Sequence, residues 1–247
     1  MSSLEKHLTK SGAWLFRWRS YLPLLLIAVL IPAFGNFSYP LGLHSYDLVY
    51  EIICFLISLF GLFIRCYTVS RTPQGTSGRN TKRQKADILN TTGIYSVTRN
   101  PLYLGNFFML LGVSMFVGVW WFLIIYVLSF CLYYERIIMA EESFLKNKFG
   151  KEYEDYLNRT PVFIPNFRLW KLPLLPVSLQ NILKREYSGF FAIISAFTIL
   201  ELAGDYIVKG EIVLNSVWTI IFIFGFLVYI TLRTLKKKTR LLHVKGR

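Results

Sequence analysis

Long apolar blocks with few charges recur along the chain, and this pattern limits the possible folds most strongly. A helix needs about 20 predominantly apolar residues to cross the hydrocarbon core of a bilayer. We count six candidate spans, at about residues 21–37, 47–69, 187–208 and 212–232, with two more that share residues 101–139 and separate near Gly118. Only 17% of the 247 residues are charged, whereas a soluble domain carries about a quarter. The sequence therefore predicts an all-α integral membrane protein with about six transmembrane helices.

Basic residues are distributed unevenly between the loops that these spans define. If the N-terminus is cytoplasmic, 25 of the 28 lysine and arginine residues lie in cytoplasmic segments, and only Lys209 lies in an outside loop. Such a bias sets the orientation of membrane proteins, so we expect both termini on the cytoplasmic side. The topology also accounts for the net charge of +14, and a nucleic-acid partner is not expected.

The cysteine and histidine residues give no indication of a disulfide framework or a metal site. Cys54, Cys66 and Cys131 all lie within apolar blocks, and no pair has the spacing of metal ligands. The three histidines are far apart in sequence, so we expect no metal. The basic N-terminus precedes an apolar run without a small-residue cleavage pattern. We interpret that run as a membrane helix and not as a cleaved signal peptide.

Two segments predicted to be cytoplasmic are long enough to form a site, residues 71–100 and 140–165. The first is rich in Gly, Thr and Asn and is typical of a loop. The second has aromatic and apolar residues at helical spacing, which predicts one amphipathic helix, or two helices separated at Gly150. We expect the site to lie where these two segments meet.

The stretch GIYSVTRNPLYLG joins the first segment to an apolar block. Asn is a favoured N-cap and Pro is favoured at the first helical position, so a helix is predicted to begin at Asn100 and Pro101. The N–H groups of such a start bind carboxylate or phosphate, and Arg99 adds a bidentate donor beside them. Tyr95 and Tyr103 offer ring faces and hydroxyls to a small ligand, although anchoring at the membrane interface would also explain them.

Ionisable residues also cluster around the end of the fourth candidate span. Glu141 and Glu142 follow its apolar part, where either a solvated helix face or a site for an amine, ribose hydroxyls or a sulfonium would explain them. Arg136 precedes them near membrane depth. Its side chain either extends to the interface or meets an anionic lipid head group.

The stretch GIYSVTRNPLYLG, followed about 35 residues later by EESFLKNKFGKEYEDYLNRTPVFIP, resembles the paired motifs of the integral-membrane methyltransferases. That family includes isoprenylcysteine carboxyl methyltransferases and phospholipid N-methyltransferases. The resemblance covers about residues 70–165 and implies S-adenosylmethionine as the cofactor, in a pocket that faces the cytoplasm. The chain departs from the family pattern at Asn100, where histidine is commoner, and in two further spans after Pro165.

The resemblance assigns residue roles by position, and the charge argument adds Arg99. The residues assigned to cofactor binding are Leu89, Tyr95, Arg99, Asn100, Pro101, Leu102, Tyr103 and Glu141, and those assigned to catalysis are Arg136 and Glu142. Methyl transfer from a sulfonium needs alignment and exclusion of water more than it needs a base. The acceptor is expected to be lipidic and to enter from the bilayer. The lack of a pocket histidine favours a carboxylate or phosphate oxygen over an amine such as phosphatidylethanolamine.

Two other functions stay open from the sequence. Membrane sterol reductases that use NADPH begin a helix with a similar R-x-P-x-Y-x-G pattern, and a lipid-binding protein could use the methyltransferase fold without catalysis. We expect three regions along the chain. They are N-terminal membrane helices in residues 1–69, a methyltransferase core in 70–165, and a C-terminal extension with two more helices and a basic tail in 166–247.

Overall fold

The computed structural model describes residues 3–19, 21, 25–35, 44–73, 84, 86–212, 214–242 and 244. In this part of the chain eight α-helices follow one another: α1 Ser3–Trp18, α2 Leu26–Phe34, α3 His44–Ser70, α4 Pro101–Phe116, α5 Trp120–Phe149, α6 Lys151–Arg159, α7 Leu179–Lys209 and α8 Ser216–Lys238. Two 3₁₀ turns, Ile94–Ser96 and Phe167–Leu169, lie in the connections before α4 and α7. The predicted all-α class is confirmed.

Four helices are long and apolar enough to cross a membrane: Leu48–Ser70 within α3, Trp120–Phe149, Leu179–Lys209 and Ser216–Lys238. The 16 residues of α4 are apolar but rise only about 24 Å, less than a hydrocarbon core of about 30 Å. The described part of the predicted first span is α2, which has nine residues. The integral-membrane class is confirmed, whereas the count of about six spans is too high for the described residues.

The α4–α5 pair is the helical hairpin that the broken apolar block predicts. Gly118, with a φ of 70°, separates the two helices. α5 then runs for 30 residues, so the fourth span and the start of the predicted amphipathic segment form one helix. Its last ten residues include Ala, Glu, Leu and Lys, which favour helix beyond the apolar part. The chain breaks at Gly150, whose φ of 56° suits glycine, and α6 follows.

α3 and α4 cross closely through small residues. A side chain at Gly61 or Gly112 would overlap main-chain atoms of the opposite helix, and Gly105 of the motif packs on α3 in the same way. At this crossing the Ser58 hydroxyl donates a 2.7 Å hydrogen bond to the Met109 carbonyl. Small residues let membrane helices approach each other. Since the two helices run antiparallel, the crossing brings the start of α4 beside the end of α3.

α1 is an amphipathic helix that the sequence analysis does not identify. It packs along α5, where a side chain at Gly12 would overlap the Arg136 carbonyl. Phe16 joins a buried aromatic cluster on α5 that includes Phe130 and Tyr134. α1 therefore covers the half of α5 that carries the paired acids.

The end of the bundle where α3 ends and α4 and α7 begin is here called the polar end. There the Ser178 N–H donates to the Ser70 carbonyl at 3.0 Å, and the Asn181 side chain donates to the Val69 carbonyl at 2.6 Å. These bonds fasten the start of α7 to the last turn of α3. The C-terminal helices are thus packed directly on the helices that carry the motif.

Candidate functional site

The two segments in which the sequence analysis locates the site do meet at the polar end. Residues 93–100 run beside residues 160–171, and we call these two stretches together the cap. Hydrogen bonds join them at both ends. The Gly93 N–H donates to the Lys171 carbonyl at 3.0 Å, and the Arg99 N–H donates to the Pro161 carbonyl at 2.9 Å. The two segments are therefore in contact, and a shared site stays a prediction.

Arg99 is the side chain that fastens the cap to α5 and α6. Its Nε donates to Glu142 Oε1 at 2.9 Å, and Nη2 lies 2.9 Å from the same oxygen. Its Nη1 donates to the carbonyls of Leu157 and Thr160, each at 2.7 Å, at the end of α6 where carbonyls lack helical partners. The guanidinium that the sequence assigns to the cofactor is thus engaged with the protein itself.

The helix start at the motif differs in one detail from the prediction. Pro101 occupies the first turn of α4 as expected, but the Asn100 side chain does not cap the helix. Its amide donates instead to the Val162 carbonyl at 3.0 Å, and its own carbonyl accepts the Tyr103 N–H at 3.1 Å. The prediction that the Asn100 side chain caps the helix is therefore wrong. The neighbouring stretch, residues 160–171, offers Asn100 a carbonyl acceptor instead. Leu102, in the same turn, is half-buried.

Residues from both motif segments come together at the polar end, and we call the place between them the cleft. The side chain of Glu141 is 27% exposed there. The Tyr103 hydroxyl interacts with Glu141, and Tyr95 lies close enough for the charge of the Glu141 carboxylate to act on its hydroxyl. The side chains of both tyrosines are half-buried. Arg19 completes this set from the N-terminal side, with Nη1 3.7 Å from Glu141 Oε1.

Aromatic rings form one wall of the cleft. The rings of Tyr103 and Tyr134 lie 4.6 Å apart between centroids, and Phe130 follows at 4.2 Å from Tyr134. Tyr134 and Glu141 are seven residues apart on α5, so they share one face of that helix. Among these rings, that of Tyr103 is half-buried and lies next to a carboxylate, an arrangement that suits a cationic or planar aromatic group.

A buried polar network stands behind this wall. Arg65 of α3 donates from Nε and Nη2 to the two carboxylate oxygens of Glu186 on α7, at 2.8 and 2.9 Å. Its Nη1 donates to Asn106 Oδ1 at 2.6 Å, and the Asn106 amide donates to the Tyr134 hydroxyl at 3.2 Å. The network thus links α3, α4, α5 and α7 and ends on a residue of the cleft. In the sequence, the signal for this network is an arginine inside a candidate span.

Tyr95 of the cap and two tyrosines of α6 keep their protons at neutral pH. Burial raises the pKa of Tyr95 to about 12, and burial also raises the pKa values of Tyr153 and Tyr156 on α6 above the ordinary value. The Tyr156 hydroxyl donates to the Tyr95 carbonyl at 2.7 Å. These hydroxyls can therefore act as donors in the site and on its border, and they carry no negative charge there.

Comparison with known proteins gives matches in the same region. The family described as Phospholipid methyltransferase matches residues 51–152. The protein-S-isoprenylcysteine O-methyltransferase of Saccharomyces cerevisiae is 30% identical over 155 residues, which cover 60% of this chain and 64% of that protein. The protein of the same name in Schizosaccharomyces pombe is 36% identical over 84 residues, 34% of this chain and 36% of that protein.

The nickel-cobalt-cadmium resistance protein NccN of Alcaligenes xylosoxydans xylosoxydans is 36% identical over 88 residues, 36% of this chain and 41% of that protein. The matches span less than two thirds of each of these relatives. No solved structure matches the chain. Residues 51–152 are thus similar to the integral-membrane methyltransferases.

The methyltransferase segment contains most of the cleft but not all of it. Tyr95, Tyr103 and Glu141 lie within residues 51–152, as do the network residues up to Tyr134. Glu186, which anchors the network, lies beyond the segment, and Arg19 precedes it. The cleft is thus completed from both sides of the matched region.

Two assigned residues of the methyltransferase segment are not brought into the cleft. Arg136 is exposed on α5 and lies about 200° around that helix from Tyr134. No described residue forms a hydrogen bond or ion pair with its side chain. Leu89 is half-buried in the connection before the cap. Within the described residues, no cluster of three or more His, Cys, Asp or Glu side chains could hold a metal ion.

Proposed function

We propose that the chain transfers a methyl group from S-adenosylmethionine to an acceptor on a membrane-embedded lipid or lipidated molecule. The observation that carries this proposal is the cleft, where Tyr95 and Tyr103 from one family motif face Glu141 from the other. The similarity of residues 51–152 to the integral-membrane methyltransferases supports the same reaction class. From the distribution of basic residues, we infer that the cleft opens to the cytoplasm.

The chemistry of the cleft fits this cofactor. S-adenosylmethionine carries a sulfonium cation, an ammonium and carboxylate pair, ribose hydroxyls and an adenine ring. The Glu141 carboxylate can accept hydrogen bonds from ribose or ammonium, and the ring faces of Tyr103 and Tyr134 suit the sulfonium or the adenine. Arg19 and the Leu102 N–H at the start of α4 can meet the cofactor carboxylate.

The protein's contribution to the reaction is alignment and exclusion of water. The bound cofactor supplies an activated methyl group for in-line displacement. Arg99 and Glu142 fasten the cap to α5 beside the cleft, and we propose that the cap excludes water from it. Glu142 therefore acts by holding the cap. Arg136, on the outer side of α5, is proposed to meet the anionic group of an acceptor that approaches from the bilayer.

The proposed acceptor atom is an oxygen. The cleft residues Tyr95, Tyr103, Tyr134 and Glu141 include no histidine, and Glu141 is already paired with Arg19. A carboxylate or phosphate acceptor needs no base, whereas an ammonium must first lose a proton. The two relatives named as isoprenylcysteine O-methyltransferases act on oxygen, which supports the same preference here.

Calorimetry with the purified protein tests cofactor binding directly. We expect binding of S-adenosylmethionine and S-adenosylhomocysteine by the wild type, with losses of about tenfold or more in affinity for Glu141→Gln and Tyr103→Ala. Glu152→Gln, an exposed acid on α6, is the matched control and should bind like the wild type. No binding by a folded wild-type protein, or binding of NADPH instead, would overturn the proposal.

The acceptor is then identified by methyl transfer from labelled cofactor. A prenylated cysteine analogue, phosphatidylethanolamine and a lipid phosphate are offered separately in detergent. We expect a labelled methyl ester with an oxygen acceptor. Labelled amine with phosphatidylethanolamine would keep the methyltransferase assignment but contradict the choice of acceptor atom.

A further inference from the structure

The connection between α6 and α7 exposes an unusual amount of apolar side-chain surface. Its large exposed apolar residues are Val162, Ile164, Phe167, Trp170, Leu172, Leu174, Val177 and Leu179. Ile164 is 81% exposed and Leu174 is 84% exposed. Single exposed apolar residues are ordinary on a protein surface, but a contiguous set of this size marks an interaction site.

This connection, residues 162–179 with Leu179 as the first residue of α7, is otherwise not an α-helix and is nevertheless held in place; we call it the anchor segment. Pro165, Pro173 and Pro176 lie within it and prevent regular helix. The Asn166 N–H donates to the Val97 carbonyl at 2.9 Å, and the Ser178 N–H at the other end donates to the Ser70 carbonyl at 3.0 Å. The apolar side chains therefore project from a fixed backbone.

The anchor segment continues the outer surface of α3. Phe63 on that surface is 62% exposed in the span, where it faces lipid. The ring of Tyr67 lies 6.4 Å from Phe63 and 6.3 Å from Trp170, so the three rings form a series. Trp170 is thus level with the last turns of α3, where the span ends. Tryptophan is enriched at this boundary between membrane and water.

The charges of the anchor segment are all basic. Arg168 and Lys171 are exposed, and residues 160–178 contain no acidic residue. Basic side chains close to the bilayer are attracted by anionic head groups. Apolar side chains beside exposed basic ones, at the end of a span, fit a membrane surface better than an acidic or polar protein partner.

We propose that the anchor segment is a non-helical interfacial anchor, seated in the head-group region of the same bilayer that the spans cross. Its apolar side chains point into the boundary with the acyl chains, and Arg168 and Lys171 contact anionic lipid. The depth is limited to the head-group region, because irregular backbone in the hydrocarbon core would leave polar groups without partners. Since residues 162–171 belong both to the anchor segment and to the cap, the segment fixes the cap at the membrane surface.

Fluorescence quenching in nanodiscs tests this location with the full chain. Bimane is attached to Leu172→Cys or Leu174→Cys in a Cys131→Ala background, because Cys131 is the exposed cysteine of the described residues. Two matched sites give the limits: Leu128→Cys on the lipid-facing side of α5 and Glu152→Cys on the exposed side of α6. The background protein without a new cysteine measures residual labelling of Cys54 and Cys66.

Lipids with brominated acyl chains and aqueous iodide are used as opposing quenchers. In bilayers of phosphatidylcholine and phosphatidylglycerol, we expect brominated lipid to quench at residues 172 and 174 at least about twofold more than at residue 152. Iodide should show the reverse order. Quenching by iodide as strong as at residue 152 would overturn the proposal. Protection from both quenchers would overturn it too, since a protein partner or a second copy would then cover the surface.

The lipid charge is tested with the same labels. Replacing phosphatidylglycerol by phosphatidylcholine should reduce quenching by brominated lipid at residue 172, and Arg168→Gln with Lys171→Gln should remove that dependence. If quenching is the same in both bilayers, the role of the two basic residues is contradicted.

Discussion

At the scale of single residues, Arg99 has the most concentrated set of contacts in the cap. One guanidinium, 8% exposed, bonds a carboxylate on α5 and two carbonyls at the end of α6. Arginine suits this task because its planar fork has five donors, whereas lysine would place three donors on one atom. The cap over the cleft therefore depends on one side chain that belongs to the motif itself.

Arg99→Ala should lower the free energy of unfolding by about 3 kcal/mol, because Glu142 and two carbonyls lose their donor together. Denaturant titration in detergent measures the loss. Arg159→Ala is the matched control and should change stability by less than about 0.5 kcal/mol. Arg159 is exposed and, among the described residues, bonds only the Asp155 carbonyl. Equal losses for the two variants would contradict the assigned role of Arg99.

Tyr95 gives a prediction for alkaline pH. Its pKa is raised by burial to about 12 in the folded protein, compared with about 10 in an unfolded chain. The folded state therefore keeps a proton that the unfolded state loses, and stability from this group falls as pH rises from about 10 to about 12. Tyr95→Phe should lose less stability than the wild type over that interval. Parallel stability curves for the two proteins would rule this out.

At the scale of whole elements, the contact between α1 and α5 makes a clear test, because helix propensity and packing oppose each other. Gly12→Ala should strengthen α1 as an isolated helix by about 1 kcal/mol. In the protein it should weaken the contact instead, since the added carbon would overlap the Arg136 carbonyl. Limited proteolysis of the N-terminal segment measures how firmly α1 is bound.

The control for this test is Ala13→Leu, because Ala13 is the exposed neighbour of Gly12. We expect faster cleavage of the N-terminal segment for Gly12→Ala and no change for Ala13→Leu. Slower cleavage of Gly12→Ala than of the wild type would mean that propensity dominates and that the close approach is not required.

Sequence patterns predict some elements well, for reasons that differ between them. The hairpin at Gly118 and the break at Gly150 follow from local chemistry, because glycine interrupts apolar or helical runs. The start of α4 at Pro101 is local in the same sense. By contrast, the Asn100 side chain leaves its predicted capping position for a carbonyl of Val162. That acceptor is distant in sequence, so no local rule could reveal it.

At the scale of the whole molecule, the cleft is built from three parts of the chain. Residues 51–152 supply the tyrosines of the cleft and Glu141. Arg19, just after α1, adds a cation, and Glu186 on α7 holds the Arg65 network behind the aromatic wall. The motifs allowed Tyr95, Tyr103 and Glu141 to be predicted as neighbours. They carried no information about Arg19 or Glu186, because those contacts depend on how α1 and α7 pack.

Glu186→Ala should destabilise the helix bundle by about 3 kcal/mol or more, because Arg65 is left buried without its carboxylate partner. Cofactor affinity should fall as well, since Arg65, which bonds Asn106 and through it Tyr134, loses the carboxylate that holds it. Arg65→Met with Glu186→Leu, which removes both charges, should recover stability but not affinity. Thermal unfolding and calorimetry separate the two effects.

The control for Glu186 is Glu201→Gln, at the opposite end of α7, where the carboxylate only accepts a bond from Asn215 at 3.1 Å. This variant should keep cofactor affinity. If Glu201→Gln and Glu186→Ala weaken binding equally, the effect belongs to α7 as a whole and not to the network.

The packing of α1 on α5 also has a consequence for biosynthesis. α1 leaves the ribosome long before Tyr133, whose hydroxyl bonds the Leu15 carbonyl, and at usual elongation rates the delay is on the order of ten seconds. During that time α1 has no partner for its apolar face, and Trp14 and Trp18 suit a position on the membrane surface. We therefore expect the N-terminal helix to rest on the bilayer surface until translation delivers the helix that receives it.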